Sequence, residues 1–131
     1  MEPLGIMLYG YGEDDSIHIR EVISELLDSN VALISASDRE DSAVIDILEE
    51  GGSGDFEDRD TKILMFLGFD DSALSRVMSN FPKRDGLRRP IFCALTETNI
   101  NWKISTLLKD LLEEEAYWKR RKNDSEDQTS P

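Results

Sequence analysis

The stretch Ile63-Leu64-Met65-Phe66-Leu67-Gly68-Phe69-Asp70-Asp71-Ser72 decides the fold class. Five apolar residues in a row, closed by a glycine, read as a strand buried on both faces. Two aspartates and a serine then stand where a helix needs acceptors for its unpaired first-turn amides. Leu74, Val77, Met78 and Phe81 follow at helical spacing. Pro82 stops them, because it has no amide and restricts the residue before it. The same order occurs earlier in the chain. Ile6-Met7-Leu8-Tyr9 ends at Gly10, Tyr11 follows that turn as Phe69 follows Gly68, and Asp14-Asp15-Ser16 echoes Asp70-Asp71-Ser72. Ile19, Val22, Ile23, Leu26 and Leu27 then make one apolar stripe of an amphipathic helix, capped by Asp15 or Ser16 and stopped near Asn30.

Each block continues with a second strand and a second helix. Val31-Ala32-Leu33-Ile34 leads to a shorter helix marked by Val44, Ile47 and Leu48, with Ser37 and Glu40 at capping-box spacing before it. After Pro90, Ile91-Phe92-Cys93-Ala94-Leu95 leads to Ile104, Leu107, Leu108, Leu111 and Leu112. Glu49-Glu50 and Glu113–Glu115 close the two second helices. A period of about 57 residues in two copies is no solenoid array. It predicts a single α/β domain over residues 1–118, made of βαβα halves 5–50 and 62–118. A flexible acidic connector, 49–61, joins them, with Gly51, Gly52, Ser53 and Gly54 at its start. Four strands separated by helices predict a four-stranded parallel sheet with helices on both faces. Right-handed crossovers give the strand order 2-1-3-4. In that arrangement the first and third strands are central neighbours, and a crevice opens at their carboxyl ends, where open α/β sheets place ligands.

Charge narrows the function classes. The 131 residues carry a net charge of −13. Such a balance repels phosphate over most of the surface and disfavours nucleic acid as a partner. The charge is divided unevenly, for residues 1–60 hold seventeen acids and three bases, and residues 61–131 hold eleven acids and twelve bases. Two basic clusters stand in the second part: Lys83-Arg84 with Arg88-Arg89, and Lys119–Lys122. Residues 119–131 read as a basic, then polar, disordered tail. One cysteine, Cys93, excludes an internal disulfide and a structural zinc cluster. No apolar run approaches the roughly 20 residues that cross a bilayer, and Met1–Gly5 lacks the features of a signal peptide. A soluble, cytoplasmic protein with no membrane partner is expected.

The string Leu95-Thr96-Glu97-Thr98-Asn99-Ile100-Asn101-Trp102, followed by Leu107, Leu108, Leu111 and Glu113–Glu115, carries a family resemblance. Together with Ile63–Phe69 it resembles an uncharacterised bacterial family, domain of unknown function 3783, over about residues 62–117. Glu97 stands where that family commonly has proline. The resemblance implies a small bacterial cytoplasmic protein and brings no activity with it.

Polar residues after the strands supply the candidate ligand set: Gly10, Asp14, Asp15, Gly68, Asp70, Asp71, Thr98, Asn99 and Trp102. Carboxylates from different loops suit a hard divalent cation, the one cofactor this set suggests. The same acids also sit where helix caps and first turns favour negative charge. Gly10-Tyr11-Gly12 is a fragment of a phosphate-binding turn without its third glycine, and Glu13–Asp15 repel phosphate. A phosphoacceptor module is excluded by the lack of a fifth strand with its lysine. His18 and Cys93 form no nucleophile–base pair at any motif spacing, so no triad hydrolase is expected. The first reading is a non-enzymatic interaction module that binds a protein partner or a second copy of itself; the alternative is a small-ligand or divalent-metal binding domain that uses the crevice at the carboxyl ends of the first and third strands. The candidate surface of the interaction module is Tyr117 and Trp118 with Lys83, Arg84, Arg88 and Arg89. The basic run after Trp118 also suits the acidic first half of another copy, head to tail.

Overall fold

The computed structural model describes residues 4–129, with side chains described through Arg121. Its elements alternate as the sequence predicts: β1 (Gly5–Tyr9), α1 (Glu13–Leu27), β2 (Ala32–Ser35), α2 (Val44–Glu50), β3 (Ile63–Leu67), α3 (Asp71–Ser79), β4 (Ile91–Ala94) and α4 (Ile104–Thr129), with a 3-10 turn at Asn99–Asn101. They form one four-stranded sheet in the order β2-β1-β3-β4. Side chains alternate across the strands into two cores. Ile6, Leu8, Leu64 and Phe66 meet Ile19 and Ile23 of α1 and Val77 of α3 on one face. Met7, Met65 and Ile63 meet Val44 and Ile47 of α2 and Ile104, Leu107 and Leu111 of α4 on the other.

The sheet is mixed, which corrects the parallel arrangement expected from the sequence. β1 is parallel to β2 and β3 to β4, but β1 and β3 run antiparallel, with Met7 opposite Met65 and Tyr9 opposite Ile63. The connector is the cause. A parallel β3 must begin at the far end of the sheet, about 17 Å from where β2 leaves it. The seven residues of α2 cover about 10 Å, and the chain after them is tied to the end where it started. The Ser53 amide donates to the Ser35 carbonyl at 2.8 Å, and the Arg59 amide donates to the Gly10 carbonyl at 3.0 Å. Lys62 completes the tie. Its side chain is buried, and Nζ donates to the carbonyls of Gly10 and Arg59, both at 2.6 Å, and to Asp58 Oδ1 at 2.8 Å. The third strand therefore starts beside Tyr9 and runs back.

Helix starts differ from expectation in two places. α1 begins at Glu13 after Gly12 with no side-chain cap, so Asp14 and Asp15 lie within its first turn. α2 begins after Ala43, beyond Ser37 and Glu40. Ala43 instead bridges to Lys103 across the α2/α4 face, and Val44 and Ile104 donate to the carbonyls of Trp102 and Ser42. α3 does carry the expected cap, Asp70 Oδ1 accepting from the Ala73 amide at 2.8 Å. α4 continues as helix through residues 119–129, where composition predicts an unordered tail. No proline or glycine interrupts it before Pro131, and Lys119 pairs with Glu115 one turn back. Ser130 and Pro131 lie outside the described residues.

Candidate functional site

Reversal of β3 separates the ligand set predicted from the sequence. Gly10, Asp14 and Asp15 lie at one end of the sheet, beside the start of β3. Gly68, Asp70 and Asp71 lie at the other, beside the start of β1, with the Thr98–Asn99 turn that follows β4. No single crevice holds both groups. At the first end, Gly10 adopts φ 91°, and a Cβ there would stand 2.1 Å from the Thr61 carbonyl oxygen. That glycine serves close backbone packing. Asp15 is paired with Arg84 at 2.6 Å. Tyr11, buried between α1 and the loop before β4, donates to the Arg88 carbonyl at 2.5 Å and lies under Lys62 Nζ at 5.1 Å. Burial raises its phenol pKa, with the Asp15 charge adding to the effect. Asp58 is held below the usual carboxylate range by its hydrogen bond to Lys62.

At the second end, Asn99 is buried and fully engaged. Oδ1 accepts from the Thr96 amide at 2.9 Å, Nδ2 donates to the Ala94 carbonyl at 3.0 Å, and the Asn99 amide donates to Thr96 Oγ1 at 3.0 Å. The Thr96–Asn99 string thus folds the turn that carries the chain from β4 towards α4. Trp102 packs into the α2/α4 core. Asp70 caps α3, Asp71 is exposed in the first turn, and Thr98 is exposed. Among the described residues no group of three His, Cys, Asp or Glu side chains is placed to hold a metal ion.

Of the interaction residues predicted from the sequence, Trp118, Arg88 and Arg89 lie around the amino end of β4, and Lys83 and Arg84 lie apart from Trp118. β4 is the outer strand beside β3. Ile91 and Leu95 donate their amides inward, to Lys62 and Phe66, so strand alternation turns the amides of Phe92 and Ala94 outward. Two cavities flank this edge. One of about 250 Å³ lies at its amino end, lined by Ile91, Phe92, Leu111, Glu114, Glu115 and Trp118. Ile91 and Phe92 point to opposite faces of the sheet, so this cavity straddles the open edge. The second, about 450 Å³, lies at the carboxyl end, lined by Leu95, Thr96, Glu97 and Ile100. α4 overruns the core after Leu111 and leaves Leu112 44%, Tyr117 47% and Trp118 58% exposed. The Tyr117 and Trp118 rings meet edge to face at 5.5 Å. Arg89 lies 4.8 Å over the Phe92 ring and donates to the Met78 carbonyl. Arg88 and Arg89 share a smaller cavity with Lys62 and Leu112. Lys83 and Arg84 line a separate one of about 360 Å³ before β4.

Lys62 and Tyr11, which hold the first end together, are not among the candidate residues. A lone lysine directly before an apolar strand, at the end of an acidic connector, is the signal that marks the first of them. Cys93 lies within β4, and burial pushes its thiol up to about 12.

The fold is thus a four-stranded mixed sheet between two helical layers, with one outer strand bordered by exposed aromatic side chains. Residues 62–118, from the end of the connector through β4 into α4, match the family described as Domain of unknown function (DUF3783). No curated protein matches the chain, and no solved structure matches it. No described helix is long and apolar enough to cross a membrane.

Proposed function

We propose that the protein is a non-enzymatic interaction module that associates with a second copy of itself through the β4 edge and the adjoining face of α4. One observation carries the reading: an open strand edge and an exposed Trp118 border the same cavity. Open edges pair readily with another strand, and exposed Trp and Tyr beside them are the side chains that dominate contact energies. The two βαβα units, each with a positive-φ glycine after its first strand, are further read as diverged copies of one unit. Light scattering on the full chain across a hundredfold concentration range tests the association. A mass that rises from one chain to two supports it; a single-chain mass throughout sinks it.

A further inference from the structure

Resting on that reading, we infer that two copies join β4 to β4 antiparallel, with Trp118 of each seated in the cavity at the carboxyl end of the other's β4. The choice of strand comes from the sheet's two edges. At β2, Ala32 and Ala36 donate inward to β1, so Leu33 and Ser35 face out. Ser35 is already covered, because its carbonyl accepts from Ser53 and its hydroxyl donates to the Asp55 carbonyl at 2.5 Å. A Cβ on Gly52 would stand 2.8 Å from Ile34 Cγ2 and 2.9 Å from Ser35 N, so the connector lies directly on that edge. Only Leu33 is left to pair there among the described residues. A copy arriving at β4 therefore offers its own β4.

A closed two-fold contact about an axis normal to the sheet pairs a strand with itself in opposite directions. The amino end of one β4 then lies beside the carboxyl end of the other. Ile91 to Leu95 spans about 13 Å, so the two flanking cavities of one copy face those of its partner in exchanged order. Trp118, more than half exposed at the amino-end cavity, comes opposite the larger cavity lined by Leu95 and Ile100. Charge in the segments that flank β4 agrees with this direction. Arg88 and Arg89 precede the amino end, and Glu97 follows the carboxyl end. Antiparallel pairing sets Glu97 against the two arginines of the other copy, whereas parallel pairing sets like charge beside like. Glu114 and Glu115 of α4 border the same amino end and face the other copy's Glu97 as well, an opposing contribution offset by Arg88 and Arg89, which share a cavity with Glu115.

Sedimentation velocity and amide hydrogen exchange on the full chain test the geometry. The expected result is a dimer in which the Phe92 and Ala94 amides gain protection as concentration rises. Trp118→Ala weakens the dimer by about tenfold or more. Glu97→Arg weakens it as well, and adding Arg88→Glu to Glu97→Arg restores part of the loss. Both residues are exposed, so these variants keep the fold; melting curves check that. A dimer without added protection at Phe92 and Ala94, or a charge swap without rescue, overturns the geometry and leaves self-association standing. A monomer at every concentration overturns both.

Discussion

At the β2 edge of the sheet, the backbone of Ser53 and Asp55 is hydrogen-bonded to Ser35; at the β4 edge, the neighbours are the side chains of Trp118, Arg89 and Glu114. The two strands occupy equivalent places, each the second strand of a βαβα unit and each parallel to its inner neighbour. The difference lies in the course of the chain beyond α2 and beyond the packed part of α4. After α2 the chain must return to begin β3, and Gly51 and Gly52, both at positive φ, fold it back onto the strand it has just left. After Leu111, α4 runs on as helix through Thr129, and β4 has no backbone partner on its outer side among the described residues. Among the described residues the chain covers the edge it passes again and leaves the other uncovered.

Covering the closed edge depends most on Gly52. A side chain there is disfavoured by φ 93° and by the contacts with Ile34 and Ser35. Gly52→Ala is expected to cost about 3 kcal/mol in a urea titration. With the β2 edge uncovered as well, the variant has two open edges instead of one, and sedimentation should show species larger than a dimer. A variant as stable as the parent would mean the connector does not depend on that contact.

Lys62→Met comes next in size. It leaves the Gly10 and Arg59 carbonyls without their buried donor, at a cost of about 2 kcal/mol read from the same titration. The β2 edge should lose amide protection near Ser35 while β4 keeps its own. A smaller effect belongs to Asp70→Ala, which removes the cap of α3 and costs about 1 kcal/mol. The equivalent acids on α1, Asp14 and Asp15, accept no capping bond, so Asp14→Ala should change stability by a few tenths of that at most.

The smallest effect is on pH dependence. Burial raises the Cys93 thiol to about 12 from an ordinary 9.0, and burial also raises Tyr9, with its hydrogen bond to Glu40 adding to it. Raised values mean that the folded chain holds these protons more tightly than the unfolded chain. Their contribution to stability is complete below about pH 9 and is lost as pH climbs from there through the folded values. Thermal melts from pH 8 to 11 should show that decline, and Cys93→Ala should reduce it. The same burial predicts that Cys93, on the strand of the open edge, reacts slowly with thiol reagents at pH 8.

Element order, both faces of helices and the 2-1-3-4 arrangement are legible in the sequence because apolar runs, glycine stops and helical stripes are local signals. Strand direction is not, because it depends on where the connector ends, and Lys62 acts through carbonyls of Gly10 and Arg59 that no sequence pattern marks. The predicted ligand set fails to assemble for the same reason: Gly10 and Gly68 look equivalent along the chain, and reversing β3 puts them at opposite ends of the sheet. Asn99 stands out by its motif, but its three hydrogen bonds go to the turn around it. Trp118 is legible as a continuation of the α4 stripe, and its exposure comes from the helix outrunning the four strands beneath it.

An isotope-filtered nuclear Overhauser experiment on an equimolar mixture of labelled and unlabelled chains tests the asymmetry of the two edges most directly. Cross-peaks between copies are expected from Trp118 to Leu95 and Ile100, and across Phe92, with none at Leu33. Cross-peaks between copies at Leu33 and Ser35, with β4 silent, would contradict that asymmetry.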